Sequence, residues 1–193
     1  MEKIIKKGFE ESINIKNKIL NDQELCGIIQ EVCLTIIESY KNGGKIILCG
    51  NGGSASDALH IAGELIGRFQ MERKSLPAIV LNADIATMTA IANDYGYENV
   101  FSRQVEGLMA GEDILIGIST SGNSDNVYRA IIKAKEIGGR TIGLLGGNGG
   151  KIGGVADFSI IVPSDVTARV QESHITIGHI ICEIVESVIS ELC

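Results

Sequence analysis

The stretch Lys45-Ile46-Ile47-Leu48-Cys49-Gly50-Asn51-Gly52-Gly53-Ser54-Ala55-Ser56-Asp57 reads as a buried strand that passes through a glycine-rich turn into a helix. Lys45–Cys49 is short and apolar with no alternation, the pattern of a strand covered on both faces. Similar runs recur at Ala78–Leu81, Ile114–Ile118, Thr141–Leu145 and Phe158–Val162. Between them, apolar residues at helical spacing mark Ser56–Phe69, Ala86–Ala92, Val100–Met109 and Val127–Ile137, and a last helix runs from about Ala168 to Leu192. Strands that alternate with helix-length segments predict an α/β fold: a three-layer αβα sandwich around a five-stranded parallel sheet. In such folds the ligand lies beyond the carboxyl ends of the strands.

The first 43 residues carry no strand signal. Ile4, Ile5, Phe9, Ile13 and Leu20 share one helical spacing, and Leu25, Ile28, Ile29, Val32, Ile36, Ile37 and Tyr40 share another. Asp22 is placed to cap the second helix, and Asn42-Gly43-Gly44 to end it. No linker or repeat divides the chain, so residues 1–193 read as one domain, with the two helices of 1–43 packed on its core.

Composition narrows the function classes. The chain carries a net charge of −7, no Trp and 4% aromatics, which argues against both a duplex-binding surface and a stacking platform for single strands. No apolar run approaches the ~20 residues of a membrane span, and the charged N-terminus is not a signal peptide. Cys26, Cys33, Cys49, Cys182 and Cys193 are odd in number and lack Cys-x-x-Cys spacing. They are expected to be reduced, packed thiols of a cytoplasmic protein.

Two strand-to-helix junctions carry unusual chemistry. In Gly50-Asn51-Gly52-Gly53, glycines permit positive φ and a close approach of backbone to a ligand. A tight turn with Ser54 or Ser56 as the helix cap explains the same residues. The spacing is neither Gly-x-Gly-x-x-Gly nor a P-loop. The second junction, Ser119-Thr120-Ser121-Gly122-Asn123-Ser124, places four hydroxyls around one glycine. An ordinary cap needs one; four, with free amides at a helix start, point to a phosphate.

His60 and Glu64 are four apart on one expected helix, and Gln171 and His179 are eight apart on the last, about 80° around its axis. Two imidazoles and two oxygen donors can form a four-ligand site suited to Zn²⁺. A surface His60–Glu64 contact and a core His179 are the alternatives.

Gly-Asn-Gly-Gly-Ser-Ala at 50–55 with Ser-Thr-Ser-Gly-Asn-Ser at 119–124 resembles the sugar isomerase (SIS) domain. Asp57–Leu65, Ala90–Gly96, Phe101–Val105 and Arg169–His179 extend the resemblance to the phosphoheptose isomerases along nearly the whole chain. The resemblance implies a flavodoxin-like sheet, a homotetramer and a phosphorylated seven-carbon sugar as partner. It implies one Zn²⁺ per subunit on His60, Glu64, Gln171 and His179, with Glu64 and His179 as the acid/base pair. It assigns ligand contacts to Asn51, Gly52, Gly53, Ser54, Ser119, Thr120, Ser121, Ser124 and Gln171, and sugar contacts to Asn93 and Asp94. Arg68 matches a further substrate contact and reads equally as a solvated helix-end cation. Ala168 departs from relatives that place an acid before Arg-x-Gln. The implied reaction takes sedoheptulose 7-phosphate to D-glycero-D-manno-heptose 7-phosphate through an enediol(ate), opening nucleotide-activated heptose synthesis for lipopolysaccharide. Two other readings are an isomerase of a different phosphosugar and a non-catalytic tetramer that binds the replication initiator. The binders resembled here lack counterparts of Glu64 and His179, and this chain has both.

Overall fold

The computed structural model describes residues 1–191; Leu192 and Cys193, the end of the expected last helix and one of the five thiols, lie outside the described residues. The chain runs α1 (Glu2–Leu20), α2 (Gln23–Lys41), β1 (Ile46–Gly50), α3 (Gly53–Ile66), β2 (Ala78–Val80), α4 (Ile85–Tyr95), α5 (Ser102–Leu108), β3 (Ile114–Ser119), α6 (Asp125–Ile137), β4 (Arg140–Gly146), α7 (Gly150–Gly153), β5 (Phe158–Val162) and α8 (Thr167–Ser190). All strand pairs are parallel, in the order β2-β1-β3-β4-β5. That is the flavodoxin-like order, whose ligand crevice lies where the chain reverses between β1 and β3. Gly50 pairs with Ile118 there, so the two unusual loops emerge side by side.

Alternate residues of each strand feed opposite layers, as the pleat requires. Ile46, Leu48, Ile116 and Leu144 pack with Val32, Ile61, Ile177 and Val185 from α2, α3 and α8. Ile47, Cys49, Leu115 and Leu145 pack instead with Val105, Val127, Ile131 and Ile152 from α5, α6 and α7. The second layer tolerates no extra volume at Gly117, where a Cβ would lie 2.7 Å from Val127 Cγ1.

Asp22 caps α2 as expected, accepting from the Leu25 amide at 2.9 Å. The first helix differs from a core helix. Ile15 is its one buried residue among those described, while Ile4, Ile5, Phe9, Ile13 and Leu20 stand exposed. Cys33, Cys49 and Cys182 are buried as expected, and burial pushes the Cys49 thiol up to about 12. Cys26 corrects the expectation of packed thiols: it is exposed on α2, because it sits one residue past the apolar stripe that begins at Leu25.

The last helix is fastened to the sheet by His174, which is fully buried and whose Nε2 faces the Leu145 carbonyl oxygen at 2.9 Å. Its Nδ1 is buried with no partner among the described residues. The imidazole is therefore neutral, donating from Nε2, and burial lowers its pKa from 6.5 to about 4 against the pull of the carbonyl. Between those values the unfolded chain binds a proton that the folded chain refuses. Stability is thus lost as pH falls through this window. His174→Gln, which can retain an amide donor toward Leu145, is expected to flatten the fall in denaturation midpoint between about pH 7 and about pH 5. An equal fall in wild type and variant would remove His174 as its source.

Candidate active site

The β1–α3 loop turns at Gly52, whose φ of 57° suits glycine alone. Gly52 is also the cap residue of α3, and no side chain bonds the first turn. This corrects the expectation of a Ser54 or Ser56 cap: the helix begins earlier, at Gly53, which leaves both serines inside it. Ser54 is buried against Gly50. The Ser54 and Ala55 amides bond the Asn51 and Gly52 carbonyl oxygens, both at 3.0 Å, which leaves the Gly52 and Gly53 amides available to a ligand.

The β3–α6 loop turns at Gly122, with φ 65°. A Cβ there would collide with the Gly149 carbonyl oxygen. The glycine loop after β4 thus buttresses the serine loop, through Ile152 N–H to Gly122 O at 3.0 Å and Lys151 N–H to Asn123 Oδ1 at 3.1 Å. Ser119 and Ser124 share a hydrogen bond at 2.9 Å across the loop. Ser124 occupies the α6 cap position without its side chain bonding the first turn. Thr120 and Ser121 line a polar cavity of about 630 Å³ with Asn123, Asn148, Ser164 and Thr167.

Residues that sequence reasoning missed join the two loops. The Asn51 and Asn126 amides bond reciprocally at 2.9 and 3.0 Å, and Tyr97 donates to Asn51 Oδ1 at 2.9 Å. Asn126 also accepts from the Val127 amide at 2.9 Å. Asn82 brackets Gly50, accepting from its N–H and donating to its carbonyl. The side chain of Asn51 is therefore engaged in the scaffold. The visible signal was the concentration of Asn within the loops themselves.

A second group of residues meets where α3 and α8 cross. Gly178 removes the side chain that would hold the helices apart; a Cβ there would lie 2.8 Å from both Cγ1 and Cδ1 of Ile61. The neighbours of these two residues then face each other. His60 Nε2 lies 3.1 Å from Glu64 Oε1 and 3.3 Å from His179 Nε2. These three donor atoms all lie within 4.8 Å of one another. Tetrahedral ligands at zinc-like bond lengths of ~2.0–2.1 Å stand roughly 3.3–3.4 Å apart, so the spacing and the donor types fit a divalent metal. Phe69 stacks on His179, with centroids 5.5 Å apart and planes 24° apart. Gln171, two turns before His179, lies against Gly53, where its amide fills the space a Cβ would take.

Asp57, one turn before His60, was not singled out by sequence. Its Oδ2 is buried without a partner among the described residues, and burial raises its pKa against the opposing pull of His60. Arg68 is exposed and forms no ion pair among the described residues. Asp94 accepts from Asn93 at 2.8 Å at the exposed end of α4, and no hydrogen bond among the described residues joins either to the loops or to the histidine cluster. Ala168 is exposed in the first turn of α8.

Comparison with known proteins identifies this arrangement. The model of the SIS domain matches residues 9–146. The phosphoheptose isomerase of Clostridium acetobutylicum is 52% identical over 186 residues, covering 96% of this chain and 95% of the relative. This chain belongs to the phosphoheptose isomerase family of SIS-domain proteins. A phosphoheptose isomerase of Helicobacter pylori strain P12 is 58% identical over 151 residues, covering 78% of this chain and 79% of the relative. Among solved structures, the phosphoheptose isomerase of Francisella tularensis superposes with a TM-score of 0.92 at 38% identity, covering 96% of this chain and 97% of that one. For the phosphoheptose isomerase of Neisseria gonorrhoeae the TM-score is 0.90 at 40% identity, covering 96% and 98%. These superpositions cover 96% of the chain and so extend the likeness beyond the residues 9–146 that the SIS domain matches.

Asn126 is 4% exposed and bonds both Asn51 and the α6 backbone. Asn126→Ala is expected to lower stability in urea by about 1–3 kcal/mol, the range for buried polar groups left unpaired. A loss below ~0.5 kcal/mol, the size of an ordinary surface change, would show that the two loops are not held together here.

Proposed function

We propose that this chain isomerises sedoheptulose 7-phosphate to D-glycero-D-manno-heptose 7-phosphate, with Glu64 as the base and His179 as the acid. The observation that carries the reading is the crossing of α3 and α8. It brings Glu64, His60 and His179 into one cluster on the two helices that flank the glycine loop. The phosphate binds the loops at the strand ends. Its dianion meets hydroxyls of Ser54, Ser119, Thr120, Ser121 and Ser124 and the amides of Gly52 and Gly53, where helix-start dipoles favour negative charge. Asn51 positions these loops, while Arg68, Asn93, Asp94 and Gln171 contact the sugar.

Isomerisation requires a proton to leave C1 of the ketose and arrive at C2. Glu64 takes the C1 proton while His179 donates to the O2 carbonyl oxygen, giving the enediol. Glu64 then returns its proton to C2, and His179, left deprotonated by the first step, accepts the O1 proton as the aldehyde forms, so both groups are regenerated and the sugar is neither oxidised nor reduced overall. His60, Glu64, Gln171 and His179 would hold one Zn²⁺ per subunit. When bound, the metal supplies Lewis-acid stabilisation to the enediolate oxygens.

Two further readings accompany this one. The exposed apolar residues of α1, with Ile180 and Ile184 of α8, suit burial in a homotetramer of a cytoplasmic enzyme. Among the described residues, no helix is long and apolar enough to cross a membrane. The product enters nucleotide-activated heptose synthesis for lipopolysaccharide.

Glu64→Gln is expected to abolish ketose-to-aldose conversion while inorganic phosphate binding, read by calorimetry, stays within about twofold of wild type. An active Gln variant would remove Glu64 from the chemistry. Dialysis against a chelator is expected to lower turnover and added Zn²⁺ to restore it; unchanged turnover in metal-free protein would remove the metal.

A further inference from the structure

The segment between α3 and β2 contains Gln70-Met71-Glu72-Arg73-Lys74, a polar run of the kind that usually lies in solvent. Here it closes over a buried charge. Glu186 of α8 is 1% exposed, and its carboxylate accepts from the backbone N–H groups of Phe69, Gln70 and Met71 at 2.9, 2.7 and 2.9 Å. Arg73 Nε stands 3.0 Å from Glu186 Oε1, with both side chains almost wholly buried. Burial alone would push the Glu186 carboxyl up; the three amides and Arg73 outweigh it and hold the group below its ordinary range. It is therefore an anion inside the protein.

The guanidinium has a second task. Arg73 Nη2 donates to the Glu64 carbonyl oxygen and Nη1 to that of Leu65, both at 2.8 Å. A cation on the last carbonyls of a helix completes hydrogen bonds that would otherwise be missing and suits the helix dipole. The turn of α3 that it grips is the one carrying Glu64. On the other side of the clamp, the three captured amides fix Phe69, whose ring stacks on His179. Glu186 lies two turns beyond His179 on the same helix. One buried ion pair thus reaches both proposed catalytic groups without touching either side chain.

We infer that the Glu186–Arg73 pair is a positioning clamp: Arg73 fixes the α3 turn bearing Glu64, and Glu186 presents the Phe69 ring to His179 so that its imidazole keeps one orientation. Glu186, Arg73 and Phe69 are positioning residues that act through Glu64 and His179. The inference rests on the acid/base reading above, so its test has one arm that needs no turnover.

Phe69→Leu keeps apolar bulk but removes the flat ring; Phe69→Tyr keeps the ring. With sedoheptulose 7-phosphate, Phe69→Leu is expected to lower kcat about 10- to 100-fold, the scale of small misplacements in a reacting geometry. KM should change less than about twofold, and Phe69→Tyr should retain wild-type kcat, because stacking alone is at stake. In the second arm, ¹³C-histidine-labelled protein is followed by NMR. The His179 ring protons, shifted upfield by the stacked ring, are expected to move downfield in Phe69→Leu and in Glu186→Gln, while those of His174 stay fixed. Wild-type kcat in Phe69→Leu, equal losses in the Leu and Tyr variants, or an unmoved His179 resonance would each overturn the clamp. Should Glu186→Gln fail to fold, Phe69→Leu carries both arms. If wild type itself converts no ketose, the acid/base reading fails, and the resonance arm still decides whether the clamp holds His179.

Discussion

Ile61 of α3 rests against the bare Cα of Gly178 in α8, at a distance that leaves no room for even a methyl group. Most of the chemistry proposed for this protein depends on that approach. Helices with full side chains between them pack 8–10 Å apart, and short polar groups on facing surfaces would then be separated by solvent. With Gly178 at the crossing, His60 and His179, each the chain neighbour of a packing residue, bring their imidazoles to 3.3 Å. The same crossing places Gln171 over Gly53, so the helix that carries the imidazole also touches the loop proposed to bind the phosphate.

Charge is handled locally. A protein of net charge −7 repels a sugar phosphate at long range, yet the strand ends gather hydroxyls, glycine-exposed amides and two helix starts in one place. These dipoles act within a few ångströms, whereas exposed charges farther from the site than a Debye length of roughly 8–10 Å are largely screened by salt. The scaffold that holds them is made of neutral amides: Asn51 with Asn126, and Asn82 around Gly50. These uncharged tethers keep the loops in place, and of the α6 first-turn amides Asn126 takes up that of Val127.

The sheet was legible because its strands are apolar runs of fixed length, and burial on both faces leaves little choice of sequence. Phe158–Val162 was placed at its observed limits for this reason. Helix starts were harder. Gly53 begins α3 three residues before the expected start, since a glycine cap offers no side-chain signal. Short α7 was not anticipated: its Gly150-Lys151-Ile152-Gly153 has one apolar residue, and periodicity needs more than one turn. At the site, His60, Glu64 and His179 were visible from helical spacing joined to the family motifs, because spacing fixes which face a side chain takes. Arg73, Glu186, Tyr97 and Asn126 were not. Apart from the bond of Asn126 to its neighbour Val127, the contacts that place them join residues 8 to 117 apart along the chain, and no local pattern distinguishes a charged residue that will be buried from one that will remain in water.

The close approach of α3 and α8 is tested most directly by ketose-to-aldose turnover in Gly178→Leu, measured beside Gly178→Leu combined with Ile61→Ala. The account predicts that the single variant loses turnover on the order of 100-fold, as its added side chain moves His179 away from Glu64, and that removing Ile61's bulk restores part of the rate. Wild-type turnover in Gly178→Leu would show that the helix crossing does not set the reacting geometry, and would contradict the account at its base.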